Sequence, residues 1–477
     1  MSRRIGPSFA LLWAMASVPA IGLGALFVVA DSKAEADPVT TAPTTGTVLL
    51  PQTMATPLLS VRRTPTVLAT DERADTVLAA AGPLMGAIDG SSCAAIGVAD
   101  QLLTTVNPEL TVIPASNLKL IVAAVALDVL GPTATFTTQF VGAAPVGGVV
   151  TGDVYLVGGG DPVLSQQWYT QVSPTRKRPP FNVTSAEALA DALVAAGVTS
   201  ITGRLIGDGS RYDAETYPPG WSADIRADTD GVPVGALVID DSTSTAGAIS
   251  ADPVAAAAST MASLLQARGV SIGGGTGTGT AAQGLAVLAS AQSAPLSELL
   301  HEMLATSDNL TAEMMVKEIG RAVSASGTRT AGLAAIVQRL GTWGVPTTGI
   351  QLTDGSGLSR DNRLTCSTLM AVLMRGTATD PVGAGLARGA QPGSTLADYF
   401  AKDGLAGVIQ AKTGSLSQVK SLGGYFVAGT DEVQFVVILN GSSAVSFTGV
   451  WEQLSSTLLA AAASPNADRL APVAPVG

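Results

Sequence analysis

The chain has 477 residues, of which 47% are hydrophobic and 13% are charged. This composition is the opposite of the disordered signature, and the length predicts two domains rather than one. With 26 basic and 37 acidic residues, the net charge of -11 would repel a phosphate backbone, which argues against nucleic acid as a partner.

The N-terminus carries an export signal. Two arginines at positions 3 and 4 precede an uncharged stretch, residues 9–30, and residues 34–36 read Ala-Glu-Ala, the form of a cleavage site. At about 1.5 Å per residue the stretch is long enough to span a bilayer, so residues 1–36 are either a cleaved signal peptide or a membrane anchor. In both cases the rest of the chain is expected to work outside the cytoplasm, where disulfides form.

The remaining elements mix strands and helices between two irregular ends. Residues 37–78 predict a Pro/Thr-rich linker, and residues 463–477 predict a disordered tail. Apolar periodicity predicts strands over 93–98, 153–157, 285–290, 408–412, 422–428 and 433–440, and helices over 116–130, 185–196, 253–267, 295–306, 310–322, 330–343, 364–375 and 450–461. Because no regular βαβ rhythm is present, we expect an α+β fold with a mostly antiparallel sheet.

The two cysteines are Cys93 and Cys366, and no CxxC or Cys/His cluster accompanies them. A structural zinc site is therefore excluded. Two buried free thiols and one disulfide both remain open, because sequence alone does not place the two Cα atoms within reach.

The first candidate motif is Ser116-Asn117-Leu118-Lys119, at the start of a predicted helix that is apolar nearly all round and therefore buried. Residues three apart lie on the same helical face, so the lysine amine can reach the serine hydroxyl and take its proton. A helix N-terminus also offers free N–H groups and a positive dipole end to a developing oxyanion. The pattern predicts Ser116 as a nucleophile and Lys119 as its base.

Two further motifs follow along the chain. Ser307-Asp308-Asn309 lies between two predicted helices, where a hydroxyl can relay protons and an amide can bind a carbonyl; the same residues can equally form the N-cap of the next helix. Lys412-Thr413-Gly414-Ser415 ends a predicted strand, and a cation, a hydroxyl and a glycine at a strand edge suit a peptide that ends in a carboxylate. Each motif is weak alone, but this order is that of the penicillin-recognising serine acyl-transferases.

Two other serine patterns are interpreted as accidental. The run from Ser417 to Lys420 also matches S-x-x-K, but it falls in or beside a strand, where residues three apart point to opposite faces. Residues 269–273 match G-x-S-x-G, yet a helix precedes the central Ser271 and a strand follows it, the reverse of a hydrolase nucleophile elbow. With His301 as the single histidine, a Ser-His-Asp esterase and a His-based metal site are both disfavoured.

The sequence around the motifs resembles the penicillin-binding protein 4 (DacB) type of D-alanyl-D-alanine carboxypeptidase. The matching stretches are residues 114–120 (PASNLKL), 152–162 (GDVYLVGGGDP), 354–360 (DGSGLSR) and 411–414 (AKTG). The resemblance implies a β-lactamase/transpeptidase-like domain and a serine D-Ala-D-Ala carboxypeptidase, with or without endopeptidase activity, that acts on peptidoglycan stem peptides. It further implies acylation by β-lactams, no cofactor, and a location at the extracytoplasmic face of the membrane or in the cell wall.

The resemblance also implies a role for each motif residue. Ser116 is the nucleophile, Lys119 its base, Ser307 the proton relay, Asn309 the amide contact, Lys412 and Thr413 the carboxylate binders, and the N–H groups of Ser116 and Ser415 the oxyanion hole.

The spacing of the motifs predicts a domain insertion. Ser116 and Ser307 must meet at one site, yet the chain between them is long enough for a whole domain. The resembled family has an extra domain at that place. We therefore expect residues 134–290 to form an inserted domain, and residues 79–133 with 291–462 to form the catalytic domain.

Two alternatives share the same motifs. A serine β-lactamase of the common class hydrolyses its acyl-enzyme with a glutamate between the second and third motifs, and no glutamate occurs from residue 319 to 431. Slow deacylation of a bound β-lactam is therefore expected. The other alternative is a non-catalytic penicillin-binding protein of the cell wall, which a failure of labelled penicillin to acylate the chain would favour.

Overall fold

The computed structural model describes residues 64–99, 101–171, 178–227 and 230–470. Within these ranges no helix is both long enough and apolar enough to cross a membrane. The predicted signal or anchor, residues 1–36, lies outside them.

The helices and strands of the described residues are numbered in chain order. The helices are α1 (Thr64–Ala80), α2 (Gly82–Gly86), α3 (Leu118–Leu130), α4 (Gln167–Gln171), α5 (Ala186–Ala195), α6 (Ala223–Ala227), α7 (Pro253–Ala267), α8 (Leu296–Thr306), α9 (Asn309–Ser324), α10 (Arg329–Thr342), α11 (Cys366–Leu373), α12 (Pro381–Ala384), α13 (Phe447–Ala463) and α14 (Ala467–Leu470). The strands are β1 (Cys93–Val98), β2 (Gln101–Val106), β3 (Thr137–Gly142), β4 (Val149–Val150), β5 (Val154–Val157), β6 (Leu164–Ser165), β7 (Thr184–Ser185), β8 (Ser200–Ile201), β9 (Leu205–Asp208), β10 (Ser271–Ile272), β11 (Thr276–Thr278), β12 (Ala286–Gln292), β13 (Ala387–Arg388), β14 (Ile409–Leu416), β15 (Val419–Ala428) and β16 (Asp431–Asn440).

The main sheet has six strands in the order β13-β14-β15-β16-β1-β2, and every neighbouring pair is antiparallel. Strand β1 is buried along its whole length, because both faces of the sheet are covered. Cys93 and Ala95 face a core shared with α3 and α8 to α11, whereas Ala94 and Ile96 face a core shared with α1, α2 and α13. The expected α+β fold with a mostly antiparallel sheet is confirmed.

A second group of strands lies between Thr137 and Gln292. These strands form sheets of five (β11-β9-β5-β3-β12), three (β10-β8-β4) and two (β6-β7), and none of them joins the main sheet. Their apolar side chains, with those of α5 and α7, form a separate core. The first and last of these strands, β3 and β12, are antiparallel neighbours, so the chain leaves and returns at adjacent points. Both this region and the main sheet are thus built around cores of their own.

Two predictions at the ends of the chain are wrong in part. Helix α1 occupies the last part of the segment 37–78 predicted as a linker. Its buried side consists of Pro65, Ala69, Arg73 and Val77. Because Arg73 is charged, it interrupts the apolar periodicity from which a helix is predicted. Arg73 pairs with Asp431 of β16, which explains how the charge is tolerated.

At the other end, α14 lies inside the predicted disordered tail, residues 463–477. The side-chain oxygen of Asn466, just before α14, accepts a hydrogen bond from Arg73 of α1 at 3.4 Å. Residues 471–477 lie outside the described ranges.

The alternative of two free thiols is also wrong. Cys93 of β1 and Cys366 of α11 form a disulfide, with their Cα atoms 6.0 Å apart. The bond therefore ties a central strand of the main sheet to a helix far along the chain.

Candidate active site

The first motif is built around a lysine at the buried start of α3. Ser116 lies in a short 3-10 turn, residues 115–117, so the α-helix begins at Leu118 and not at Ser116 as predicted. Lys119 is fully buried, and its Nζ lies 3.1 Å from Ser116 Oγ. Burial lowers the pKa of Lys119 to about 8, although the carboxylates of Asp308 and Asp354 act in the opposite direction.

The Lys119 amine has three oxygen neighbours. Besides Ser116 Oγ, these are Asn309 Oδ1 at 2.7 Å and the Ser356 carbonyl at 2.6 Å. A neutral amine donates its N–H groups to the last two and keeps its lone pair for the serine O–H. The arrangement fits a general base that withdraws a proton from Ser116.

The second motif lies at the junction of two helices. Ser307 ends α8 with a left-handed backbone (φ 67°), which is uncommon for a residue other than glycine. Asp308 is the N-cap of α9, because its carboxylate accepts a hydrogen bond from Thr311 N at 2.7 Å. Asn309 contacts Lys119, as described above. Asp308 thus caps α9, whereas Ser307 and Asn309 line the cleft, and their roles as proton relay and amide contact stay predictions.

The third motif lies on β14, directly beside the turn that carries Ser116. With its amide oriented to satisfy both neighbours, Asn117 donates to the Lys412 carbonyl (3.0 Å) and accepts from Leu422 N (3.1 Å), which pins the turn to β14 and β15. A Cβ atom at Gly414 would lie 2.2 Å from Ser421 Oγ and 3.0 Å from Ser116 N. Only glycine lets β14 approach the Ser116 backbone this closely.

Lys412 is fully buried, and its ammonium donates to the Thr413 carbonyl at 2.8 Å. Its pKa is held well below the usual lysine range, mainly because of burial and further because Lys119 and Arg178 are nearby cations. The Lys412 side chain thus lies inside the protein and does not line the cleft.

The motif residues surround one cleft of about 280 Å³. Ser116, Ser307, Asn309, Thr413 and Ser415 line the cleft, while Lys119 and Lys412 lie buried below them. The structure therefore brings all seven predicted site residues together.

The cleft also contains residues that sequence reasoning did not select. Its further walls include Arg178 and Asp230 from the chain between β3 and β12, and the aromatic rings of Tyr399, Phe447 and Trp451. No short motif marks these positions, because they come from separate loops and helices.

Lys420, the last residue of the second S-x-x-K pattern, also lines the cleft. The S-x-x-K pattern that ends at Lys420 concerns a lysine acting on Ser417, not a lysine that faces the cleft. In the structure Lys420 lies opposite Ser415 in the β14–β15 pair, and its ammonium donates to Ser415 Oγ at 3.0 Å.

The loop of residues 354–360 contacts the Lys119 amine. Its Ser356 carbonyl is one of the Lys119 contacts, and the Glu313 carboxylate accepts from the N–H groups of Gly355 (3.0 Å) and Ser356 (2.7 Å). Burial, followed by the nearby Asp354 carboxylate, raises the pKa of Glu313 above its ordinary value. The sequence contained this loop as a matching stretch but gave no role for it.

The chain matches known proteins over most of its length. The model of the D-Ala-D-Ala carboxypeptidase 3 (S13) family matches residues 75–251 and 234–456. A D-alanyl-D-alanine carboxypeptidase of Actinomadura sp. (strain R39) is 31% identical over 76% of this chain and 79% of its own length, and a carboxypeptidase of Mycobacterium tuberculosis is 31% identical over 66% and 68%.

Solved structures show the same fold. Penicillin-binding protein 4 (dacB) of Haemophilus influenzae superposes with a TM-score of 0.65 at 19% identity, covering 79% of this chain and 98% of the other. The same protein, complexed with a β-lactam, superposes with a TM-score of 0.61 at 18% identity, over the same shares of the two chains. The expected transpeptidase-like fold with an inserted domain is confirmed.

Proposed function

Because this chain belongs to the S13 family of D-Ala-D-Ala carboxypeptidases, we propose that it hydrolyses the terminal D-alanyl-D-alanine bond of peptidoglycan stem peptides through an acyl-enzyme on Ser116. The observation that carries the proposal is the buried Lys119 amine, 3.1 Å from the Ser116 hydroxyl that lines the cleft. A lysine with a pKa near 8 is sufficiently often neutral at physiological pH to act as a base.

The first half-reaction forms the acyl-enzyme. Ser116 Oγ attacks the carbonyl carbon of the terminal peptide bond while Lys119 takes its proton. The backbone N–H groups of Ser116 and Ser415 stabilise the oxyanion of the tetrahedral intermediate. The proton then passes from Lys119 through the Ser307 hydroxyl to the amine of the departing D-alanine, and the C–N bond breaks.

The second half-reaction returns the free enzyme. A water molecule attacks the ester carbonyl and gives a proton to Lys119. The bond between the carbonyl carbon and Ser116 Oγ then breaks, Lys119 returns the proton to Oγ, and the shortened peptide leaves with a new carboxyl group. The net change is the addition of one water across one peptide bond.

Substrate binding uses the remaining motif residues. We assign Asn309 to a carbonyl of the peptide, Thr413 to its terminal carboxylate, and the edge of β14 to its backbone. Lys412 lies buried below the strand, where a bound carboxylate would favour its charged form. Arg178, which lines the same cleft, contributes a cation from the region between β3 and β12.

A β-lactam would react by the same first step, in which Ser116 opens the strained ring amide. Two glutamates lie between the second and third motifs, and both are engaged: Glu313 with the 354–360 loop and Glu318 with Arg211 at 2.6 Å. Neither lines the cleft. Slow deacylation is therefore expected, which favours a penicillin-sensitive carboxypeptidase over a β-lactamase.

The site of action follows from the N-terminal pattern. Residues 1–36 direct export, and residues 9–30 either are removed with the signal or hold the enzyme at the outer face of the membrane. The Cys93–Cys366 disulfide is consistent with an oxidising compartment.

The test is mass spectrometry of the purified protein with a stem pentapeptide and with a cross-linked stem-peptide dimer. We expect the pentapeptide to lose one terminal D-alanine, and the dimer to report whether cross-links are also cut. Ser116→Ala is the matched control and must lose both activities. A folded wild-type protein that leaves the pentapeptide intact would overturn the proposed function.

A further inference from the structure

Lys420 is a half-buried cation in the active-site cleft, on the strand next to the one that carries the third motif. Its ammonium donates to Ser415 Oγ at 3.0 Å and lies 4.8 Å from the centre of the Phe447 ring. Within the described residues no aspartate or glutamate is within ion-pairing distance of it. The charge is held in place by a hydroxyl and a ring face, and no carboxylate of those residues neutralises it.

Lys412, the lysine of the third motif, is less accessible to a ligand than Lys420. Lys412 is fully buried and donates to the Thr413 carbonyl, whereas Lys420 lines the cleft beside Ser415. A carboxylate in the cleft therefore meets the Lys420 ammonium without displacing a strand. The hydrogen bond would be charge-assisted, which makes it about twice as strong as a neutral one.

The position of Lys420 also fits the geometry of the reaction. Gly414 approaches the Ser116 backbone N–H, and Ser415, the next residue, pairs with Lys420 across the sheet. A substrate whose scissile carbonyl lies between the N–H groups of Ser116 and Ser415 has its terminal carboxylate one residue, about 3.8 Å of chain, further on. That distance is within reach of a lysine bound to the Ser415 hydroxyl.

From these contacts we propose that Lys420, together with the Ser415 hydroxyl, binds the terminal carboxylate of the substrate and so determines specificity for a free C-terminus. The inference rests on the proposed carboxypeptidase function, and it adds a residue to which none of the three motifs points. Lys420 is a binding residue in this account, and the nucleophile and base remain Ser116 and Lys119.

The test compares two substrates that differ only in the charge that Lys420 would bind. The values of kcat/KM are measured on a peptide ending in D-Ala-D-Ala and on the same peptide ending in D-Ala-D-alaninamide, for wild type, Lys420→Met and Lys420→Arg. We expect Lys420→Met to lose between about 10-fold and about 100-fold on the acid and less than about threefold on the amide. Lys420→Arg keeps the charge and is expected to restore most of the activity on the acid.

The matched control is Lys402→Met, because Lys402 is exposed and lines a neighbouring groove but not the cleft. It removes the same charge and is expected to leave both rates unchanged. Equal losses on acid and amide in Lys420→Met would show a structural role for Lys420 and overturn the proposal, as would the absence of any loss.

A second pair of probes separates this inference from the proposed function. If wild type fails to cleave the peptide, acylation by benzylpenicillin and by its methyl ester is compared by intact mass. Loss confined to the free acid in Lys420→Met supports the carboxylate contact even though the peptidase assignment has failed. Equal rates for acid and ester, or no acylation of the wild type by either, would overturn the inference.

Discussion

At the scale of single residues, the proposed chemistry depends on the protonation state of one amine, that of Lys119. Lys119 is fully buried with three oxygen neighbours, so it has hydrogen bonds but little solvation for its charge. Burial favours the neutral form, and the surrounding carboxylates, of which Asp308 has the largest effect, keep the pKa from falling further. With a pKa of about 8, about a tenth of the molecules have a neutral Lys119 at pH 7.

A pH dependence follows from this pKa. In the proposed mechanism the neutral amine is the active form, so the rate of acylation by benzylpenicillin should rise with pH through about 8 and level off above it. Lys119→Ala should reduce that rate by about 10² to 10⁴. Both effects are measured between pH 6 and 10 by intact-mass spectrometry of reactions quenched at timed intervals. Lys402→Ala is the control for loss of a lysine. A flat profile in wild type, or rapid acylation of Lys119→Ala, would rule out Lys119 as the base.

The sequence predicts residues of this kind when they lie close together along the chain. Ser116 and Lys119 are three positions apart where a 3-10 turn continues into α3, so spacing alone indicates their contact. Lys420 and Ser415 meet across a strand pair whose register sequence reading does not provide. Ser356 contributes only a backbone carbonyl to the site. Since every residue has a backbone carbonyl, the residue type does not predict this contact.

At the scale of elements, apolar periodicity predicted the helices and strands that bury a clear apolar face. The predicted helix over 253–267 and the predicted strand over 93–98 match α7 and β1. Helix α1 was missed, because Arg73 occupies the middle of its buried row and is neutralised by Asp431 of β16. Periodicity depends only on the polarity of each residue, so it does not predict an ion-pair partner such as Asp431, which lies hundreds of residues away.

The disulfide gives an element-scale prediction. It links β1 to α11 across 273 residues of chain, so its removal should destabilise the protein by about 2–5 kcal/mol. The free energy of unfolding of the Cys93→Ser/Cys366→Ser variant is measured by denaturant titration, with and without reductant. Reductant should lower the stability of wild type but leave that of the variant unchanged. Equal stability of wild type and variant under oxidising conditions would contradict a structural role for the bond.

At the scale of the whole molecule, the region between β3 and β12 has a core of its own and also contacts residues of the active-site cleft. It has its own sheets and core, yet Tyr212, Val232 and Val234 pack into the core of the main body. Trp221 donates to Asp354 at 2.9 Å, and the Asp230 carbonyl accepts from Asn309 at 2.9 Å. Excising the region would expose that apolar surface and release those contacts, so single substitutions test its role more sharply.

Arg178 is the substitution that tests whether this region shapes substrate choice. It is a half-buried cleft cation near Lys412, and a long stem peptide has more contacts to make there than a small β-lactam. We expect Arg178→Ala to reduce kcat/KM for a stem pentapeptide about tenfold and penicillin acylation less than about threefold. Arg204→Ala, at an exposed ion pair of the same region, is the control and should change neither. Equal losses on both substrates would argue against a role in substrate choice.

The central claim for the whole molecule is that one serine of this chain, Ser116, forms the covalent intermediate. The protein is incubated with benzylpenicillin, its intact mass is recorded, and the adduct is located by peptide mapping. We expect a single adduct, on the peptide that contains Ser116, and none on the Ser116→Ala variant. An adduct on Ser271 or Ser417, or a folded wild-type protein that takes up no penicillin, would contradict it.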